Sequence, residues 1–316
     1  SQQVTDQIKL TAGARYTKDH KFDIGGKNWA CPNWPANTPL GTTVLTADQL
    51  RQLVTPGTGL ANTHNIGPGG AITAASCGNT PGDNTADLKY GQATWLGRIE
   101  YKLRPDILLF GSVTTGFHSP AIGDGGATTK PEKLTSYEIG FKSDLLNREL
   151  TLNLDAFLMK YKDKLESQVV NSVLANFNAA GATVKGLEAE WVWRPTKVDR
   201  LTGNATWLKA VYDDFMSCDV DAARANGQSC GSTAPLVNVG GSTMKHAPKF
   251  STTVQYEHDF AVAGGQLTPR ASVHYETMSY VGAGAFNGDV PGHAGVKRQE
   301  AYTTLDLSLR FQPANK

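Results

Sequence analysis

No run of about 18 apolar residues occurs in the 316-residue sequence, so no segment reads as a transmembrane helix. An excess of one charge is also missing, since 30 basic and 29 acidic residues leave a formal net charge of +1. Without a basic stripe or an acidic tail, nothing points to nucleic acid as a partner. The amino terminus, Ser1-Gln2-Gln3-Val4-Thr5-Asp6, lacks a basic stretch followed by an apolar core, as if an export signal were cleaved or the chain started late. Cysteine is scarce. Cys31 and Cys77 form one sequence-local pair and Cys218 and Cys230 another, and neither pair has the CxxC spacing that zinc or thiol redox chemistry favours. Each pair sits in a Gly/Asn/Pro-rich stretch, which suggests loop disulfides in an oxidising compartment, with free thiols as the alternative.

Enzymatic motifs are absent too. His246 and His258 are separated by a strand-like segment with no HExxH beside them, and Gly123-Asp124-Gly125-Gly126 lacks the Lys-Ser/Thr ending of a phosphate loop. Asp213 and Asp214 could be imagined as acid and base, yet adjacent residues on a strand point to opposite faces, so a solvated strand end is the simpler reading. The sequence implies no cofactor and no covalent chemistry.

What the sequence does have is alternation with a period of two. In Tyr302 to Phe311, residues Thr303, Leu305, Leu307, Leu309 and Phe311 share one face and Thr304, Asp306, Ser308 and Arg310 the other. The same pattern runs through Ile8 to Tyr16, Trp95 to Leu103, Tyr137 to Lys142, Leu150 to Asp155, Leu187 to Trp193, Leu201 to Trp207, Phe250 to Glu257 and Leu267 to Glu276. With the less regular Ile107 to Phe117, ten strands are predicted.

The connections decide between architectures. Short ones at 104–106, 144–148, 195–199 and 259–265 alternate with long ones at 18–91, 118–133, 170–182, 212–245 and 281–298. Short turns on one rim and long loops on the other describe a transmembrane β-barrel, whose composition stays polar because only alternate residues meet lipid. The mean hydropathy of -0.33 is compatible with that. A soluble sandwich also alternates, but its apolar face must fill a core and its loop lengths need not alternate. Aromatics near strand ends (Tyr16, Tyr101, Trp193, Trp207, Tyr256 and Tyr275) fit interfacial girdles. Polar residues on the opposite face, among them Arg15, Arg98, Glu188, Glu190 and Arg270, would line the lumen. Inside 18–91, Thr46 to Val54 carries a capping box and predicts a short helix.

Several segments resemble TonB-dependent outer-membrane receptors. Thr115-Gly116-Phe117-His118-Ser119-Pro120, then Lys130-Pro131-Glu132, then Ser136-Tyr137-Glu138-Ile139-Gly140-Phe141-Lys142 is similar to a family signature, with His118 where a basic residue is usual. Phe157 with Tyr161 and Asp163, Asn178-Ala179-Ala180-Gly181-Ala182 leading to Lys185-Gly186-Leu187-Glu188-Ala189-Glu190, Ala210 to Phe215, His246-Ala247-Pro248-Lys249 and Tyr302 to Asp306 follow in the family's order.

The resemblance implies an all-β fold: residues 1–316 as a ten-strand portion of an antiparallel barrel of about 22 strands. It also implies that early strands, an amino-terminal plug and the last two strands lie outside this sequence. The family's activity is active uptake of a scarce nutrient across the outer membrane, most often a ferric siderophore, with cobalamin or oligosaccharide as other cargoes. The partners it implies are outer-membrane lipid and, through the plug, the TonB–ExbB–ExbD complex. A passive porin is the competing transport reading.

Rigid aromatic and imidazole groups in the long loops are the candidate ligand contacts: Trp29, Trp34 and His64 in the first, and Phe117 and His118 at the opening of the second. Packing of the first loop around its cysteines is the other explanation for these residues.

Overall fold

The computed structural model describes residues 1–23, 86–122, 128–170, 173–178, 181–218, 236–238, 240–280 and 298–314. The predicted helix at 46–54 and residues Trp29, Cys31, Trp34, His64, Cys77 and Cys230 lie outside these.

Ten long strands dominate: β1 (Ile8–Asp23), β2 (Ala86–Arg104), β3 (Ile107–His118), β4 (Glu132–Leu145), β5 (Leu150–Lys162), β6 (Gly181–Trp193), β7 (Asp199–Asp214), β8 (Phe250–His258), β9 (Gly265–Glu276) and β10 (Tyr302–Pro313). They join in chain order into one sheet, each pairing with the next, and every pairing with a printed register is antiparallel. Gln2–Gln3 adds to the β1 edge, and Phe260–Val262 continues β8 beside β9. Among the described residues the sheet does not close, because β10 pairs only with β9.

The strands outrun their apolar patterns. β1 continues to Asp23 and β2 begins at Ala86, so the first long connection is 24–85 rather than 18–91. Beyond a bilayer neither face of a strand needs apolar residues, so the hydropathy signal stops before the hydrogen-bond ladder does. The third long connection likewise contains a hairpin, Leu165–Val170 with Val173–Asn178.

The two faces are unequal. Leu10, Trp95, Ile99, Ile139, Leu187, Trp207, Leu305, Leu307, Leu309 and Phe311 all lie on the predicted apolar face and all are exposed, Leu307 at 73%. A soluble sandwich would cover such a face with a second sheet; no described residues cover this one. The few buried apolar side chains, such as Phe110, Ala182, Ala210 and Tyr212, sit on the polar face.

The chain divides into two compact units, one of Ser1–Thr17, Gln92–His118 and Pro131–Lys316 and one of Lys18–Gly91 and Ser119–Lys130. Within the second, His20 Nε2 meets Asp87 Oδ1 at 2.8 Å and Lys21 Nζ donates to the Pro120 carbonyl at 2.9 Å.

Candidate functional site

Antiparallel register stacks side chains from successive strands into rows across the polar face. One row runs Glu100, Phe110, Gly140, Asp155, Glu188, Thr206, Ser251, Glu276 and Tyr302. Gly140 lets the Phe110 ring lie flat on the sheet, since a Cβ there would collide with both that ring and Asp155 Oδ1. The Arg98 guanidinium sits 3.9 Å above the same ring and bonds Glu100 at 3.2 Å, while Lys9 reaches Glu100 at 3.0 Å. On the opposite face the Trp191 ring uses the space left by Gly203 in the same way.

Charge is unevenly distributed along this wall. Asp155 and Glu188 are direct register partners, and Asp155 Oδ1 is buried without a hydrogen-bond partner among the described residues. Of the predicted lumen residues, Arg98 has the partners just given, Arg270 stands 3.8 Å from Glu257, and Glu190 opposes Asn153. Arg15 is exposed on β1.

Towards the rim of long connections the polar face becomes a buried network. Glu132 Oε2 accepts from the Leu165 N–H at 2.7 Å and from Lys164 Nζ at 3.3 Å, and this fixes the chain as it leaves β5 through Asp163 in a left-handed conformation (φ 53). Glu166 Oε1 then accepts from Tyr212 Oη at 3.0 Å and Oε2 meets Lys245 Nζ at 2.8 Å, with Glu166 and Tyr212 only 6% and 2% exposed. Tyr212 lies well past the predicted girdle residue Trp207 on β7. Burial and the adjacent carboxylate push its phenol far above its ordinary pKa, so it remains a donor.

Beyond this network, His246 lies opposite the ends of β9 and β10. An open hollow of about 510 Å³ is lined there, among the described residues, by His246, Glu276, Ser279, Gln299 and Tyr302. A second hollow of about 380 Å³ lies nearer the short turns, between Asn153, Glu190, Arg200, Asn204, Thr253 and Gln255. Among the described residues no three His, Cys, Asp or Glu side chains converge in a metal-holding group.

The predicted contacts Phe117 and His118 are not brought together. They are consecutive on β3, so Phe117 shares the face of exposed Tyr137 and Ile139 while His118 lies on the polar face opposite Glu132. Asp213 and Asp214 are an exposed strand end, interrupted by a bulge after Tyr212. Sequence reasoning missed Glu132, Glu166, Tyr212, Lys245 and Glu276 as a rim network and cavity. Glu132, Tyr212 and His246 do sit inside segments that carry the family resemblance, and that was the available signal.

The comparisons with known proteins agree with this geometry. A model of the family described as TonB dependent receptor-like, beta-barrel, matches residues 1–316. The metal-pseudopaline receptor CntO of Pseudomonas aeruginosa is 25% identical over 218 residues, which are 69% of this chain and 27% of that protein. Among solved structures, the ferric yersiniabactin uptake receptor FyuA of Yersinia pestis has a TM-score of 0.59 at 17% identity, over 98% of this chain and 36% of that one. The ferric-catecholate import receptor Fiu of E. coli has a TM-score of 0.59 at 15% identity, over 98% and 37%. The copper transporter OprC gives 0.58 at 10% identity, over 98% and 38%. The chain thus spans between about a quarter and two fifths of these relatives' lengths. With the whole chain matched and an antiparallel wall apolar on one face and polar on the other, this protein belongs to the TonB-dependent receptor-like β-barrel family.

Proposed function

We propose that this chain forms barrel wall of an outer-membrane receptor that actively imports a metal bound to a small chelator, with a ferric siderophore as the leading cargo. The observation carrying the reading is the asymmetry of the wall: among the described residues, an uncovered apolar face suited to lipid, and a polar face bearing a buried carboxylate oxygen of Asp155 without a partner and a hollow near the long connections. The relatives support the cargo class, since those named above are receptors or transporters for metal-pseudopaline, ferric yersiniabactin, ferric catecholate and copper. Energy would come from the TonB–ExbB–ExbD complex acting through a plug, and a plug in the lumen would give Asp155 and Glu188 polar partners.

The test is uptake by cells whose only copy of the gene is intact or deleted. Radiolabelled ferric chelates, cobalamin and a maltooligosaccharide would each be offered with and without a protonophore. Chelate uptake that needs both the gene and the proton gradient supports the reading. Uptake indifferent to the protonophore would favour a passive porin, and gene-dependent uptake of cobalamin or oligosaccharide alone would replace the cargo class.

Ligand capture by Trp29, Trp34, His64, Phe117 and His118 belongs to the same proposal. Replacing Trp34 and His118 together by Ala in the full-length receptor should weaken binding of the imported chelate by about 1 to 3 kcal/mol. Unchanged affinity would return both residues to a packing role.

A further inference from the structure

We infer that the cavity bounded by His246, Glu276, Ser279, Gln299 and Tyr302 is a subsite for a protonated amine on the ligand. It deepens the transport reading above, on which its biological meaning rests.

The frame of this hollow is built from paired strand ends. Glu276 and Tyr302 are register partners at the ends of β9 and β10, and Ser279 and Gln299 are partners in the short ladder just beyond. Two cross-strand pairs therefore position four of the five described lining residues. His246 closes the remaining side from the connection before β8, in a left-handed conformation (φ 53) that is uncommon for a residue with a side chain. Its N–H is held by the Tyr280 carbonyl at 2.7 Å, and its neighbours are anchored, Lys245 by Glu166 and Ala247 by burial. Backbone held in such a conformation by its surroundings is found preferentially at ligand sites. Here it presents an exposed imidazole at the cavity edge.

The chemistry of the lining selects charge. Among the described residues Glu276 is its one carboxylate, and neither Lys nor Arg lines it. The nearby Arg298 guanidinium is engaged by Glu300 at 2.6 Å. Tyr302 Oη donates to Glu276 Oε2 at 3.3 Å, and His274 Nε2 stands 3.8 Å from the same oxygen while its Nδ1 bonds Thr253 Oγ1 at 3.0 Å. Both neighbours address Oε2. Oε1 is left without a partner among the described residues. An anionic group would be repelled by this carboxylate, and a neutral hydroxyl would gain only an ordinary hydrogen bond. An ammonium gains a charge-assisted bond about twice as strong, with Gln299 and Ser279 as further acceptors and the His246 imidazole beside them. The volume of about 510 Å³ leaves room for the aminoalkyl arm that carries it.

The experiment is isothermal titration of the full-length receptor in detergent with putrescine as probe, beside butanediol and succinate as its neutral and anionic counterparts. Putrescine should bind saturably, butanediol at least about tenfold more weakly and succinate not at all. Glu276→Gln should weaken putrescine about tenfold and His246→Ala by a smaller factor, with the heat-modifiable gel mobility of a folded barrel retained. Tyr302→Phe, which keeps the carboxylate and the ring, should retain putrescine binding and so shows that the loss in Glu276→Gln is one of charge. Wild-type affinity in Glu276→Gln, succinate binding as well as putrescine, or no saturable putrescine binding would each overturn the inference. Cellular chelate uptake is read separately. Amine binding with no gene-dependent uptake would sink the transport reading alone, and uptake without amine binding would sink this subsite alone.

Discussion

The two rims of the wall each place a carboxylate at the centre of a hydrogen-bond cluster, and the two clusters are built differently. At the rim of short turns, Asp199 accepts from Thr196 Oγ1 at 2.5 Å and Tyr256 Oη at 2.5 Å and meets His258 Nδ1 at 2.7 Å. At the other rim, Glu166 has two side-chain partners, Tyr212 and Lys245. Counting bonds would rank Asp199 first. Burial reverses the order: Asp199 stands at a strand end and keeps 19% of its side chain in solvent, whereas Glu166 and Tyr212 are shut away from water. A polar group that has lost its water depends fully on its protein partners, so the second rim should respond far more strongly to loss of one.

The largest effect is therefore expected from Glu166→Ala. It leaves the buried Tyr212 hydroxyl without its acceptor and Lys245 without its counter-charge, a loss of about 3 kcal/mol in unfolding of the full-length receptor from detergent micelles. Since Lys245 keeps a third of its side chain in solvent, the effect should fall at the lower end for broken buried pairs. If Glu166→Ala unfolds with the wild-type midpoint, burial is not what separates the rims.

Next come the cysteines, all in the long connections. Cys218 ends a short strand, Met216–Cys218, paired with Leu236–Asn238 at the base of the segment that contains Cys230. We expect Cys218–Cys230 and Cys31–Cys77 bridges, the first adding about 3 kcal/mol by shortening a flexible loop of the unfolded chain. Peptide mapping of the unreduced receptor checks the pairing. Free thiols, or bridges that cross between the two connections, would remove this support from the long-connection rim.

Between the rims, Gly140 offers an intermediate case. Any side chain there must displace the Phe110 ring and with it the Arg98 contact, so Gly140→Leu should cost about 1 to 3 kcal/mol. The double variant Gly140→Leu with Phe110→Ala should recover part of that loss, because the intruding side chain then has room. No recovery would mean that the glycine serves the backbone alone.

The contrast also explains what the sequence made legible. Strand positions, the outward apolar face and the alternation of connection lengths were readable because each depends on one strand at a time and on a period of two. The rim network was not, because it depends on register: Glu132 meets Leu165, and Glu166 meets both Tyr212 and Lys245, across intervals that no local pattern encodes. Phe117 and His118, expected at the opening of a loop, instead end β3, and adjacency on a strand sends them to opposite faces. The strand ends were underestimated for a physical reason too, since Lys18 to Asp23 continues the ladder without an apolar face.

The smallest expected effect is at Asp199, and it sharpens the comparison because it appears only on acidification. Hydrogen bonds from Thr196, Tyr256 and His258 hold its carboxyl at about 2, below the ordinary 3.8. Asp199 lies two residues beyond the Leu201–Trp193 pair, at the turn outside the predicted girdle, with its side chain partly in solvent. Because the folded value is the depressed one, the stabilisation is fully present above the ordinary carboxylate range and is lost as pH falls through about 2. The receptor in micelles should therefore lose stability between about pH 4 and pH 2. Asp199→Asn should be slightly less stable than wild type at neutral pH, by less than Glu166→Ala, and the gap should close across that window as the wild-type carboxylate protonates. Other carboxylates are held low as well, Asp259 among them by its own donor Thr268, so the quantity to follow is the difference between the two proteins and not either profile alone. A difference that stays constant down to pH 2 would show that the Asp199 cluster contributes nothing through its charge.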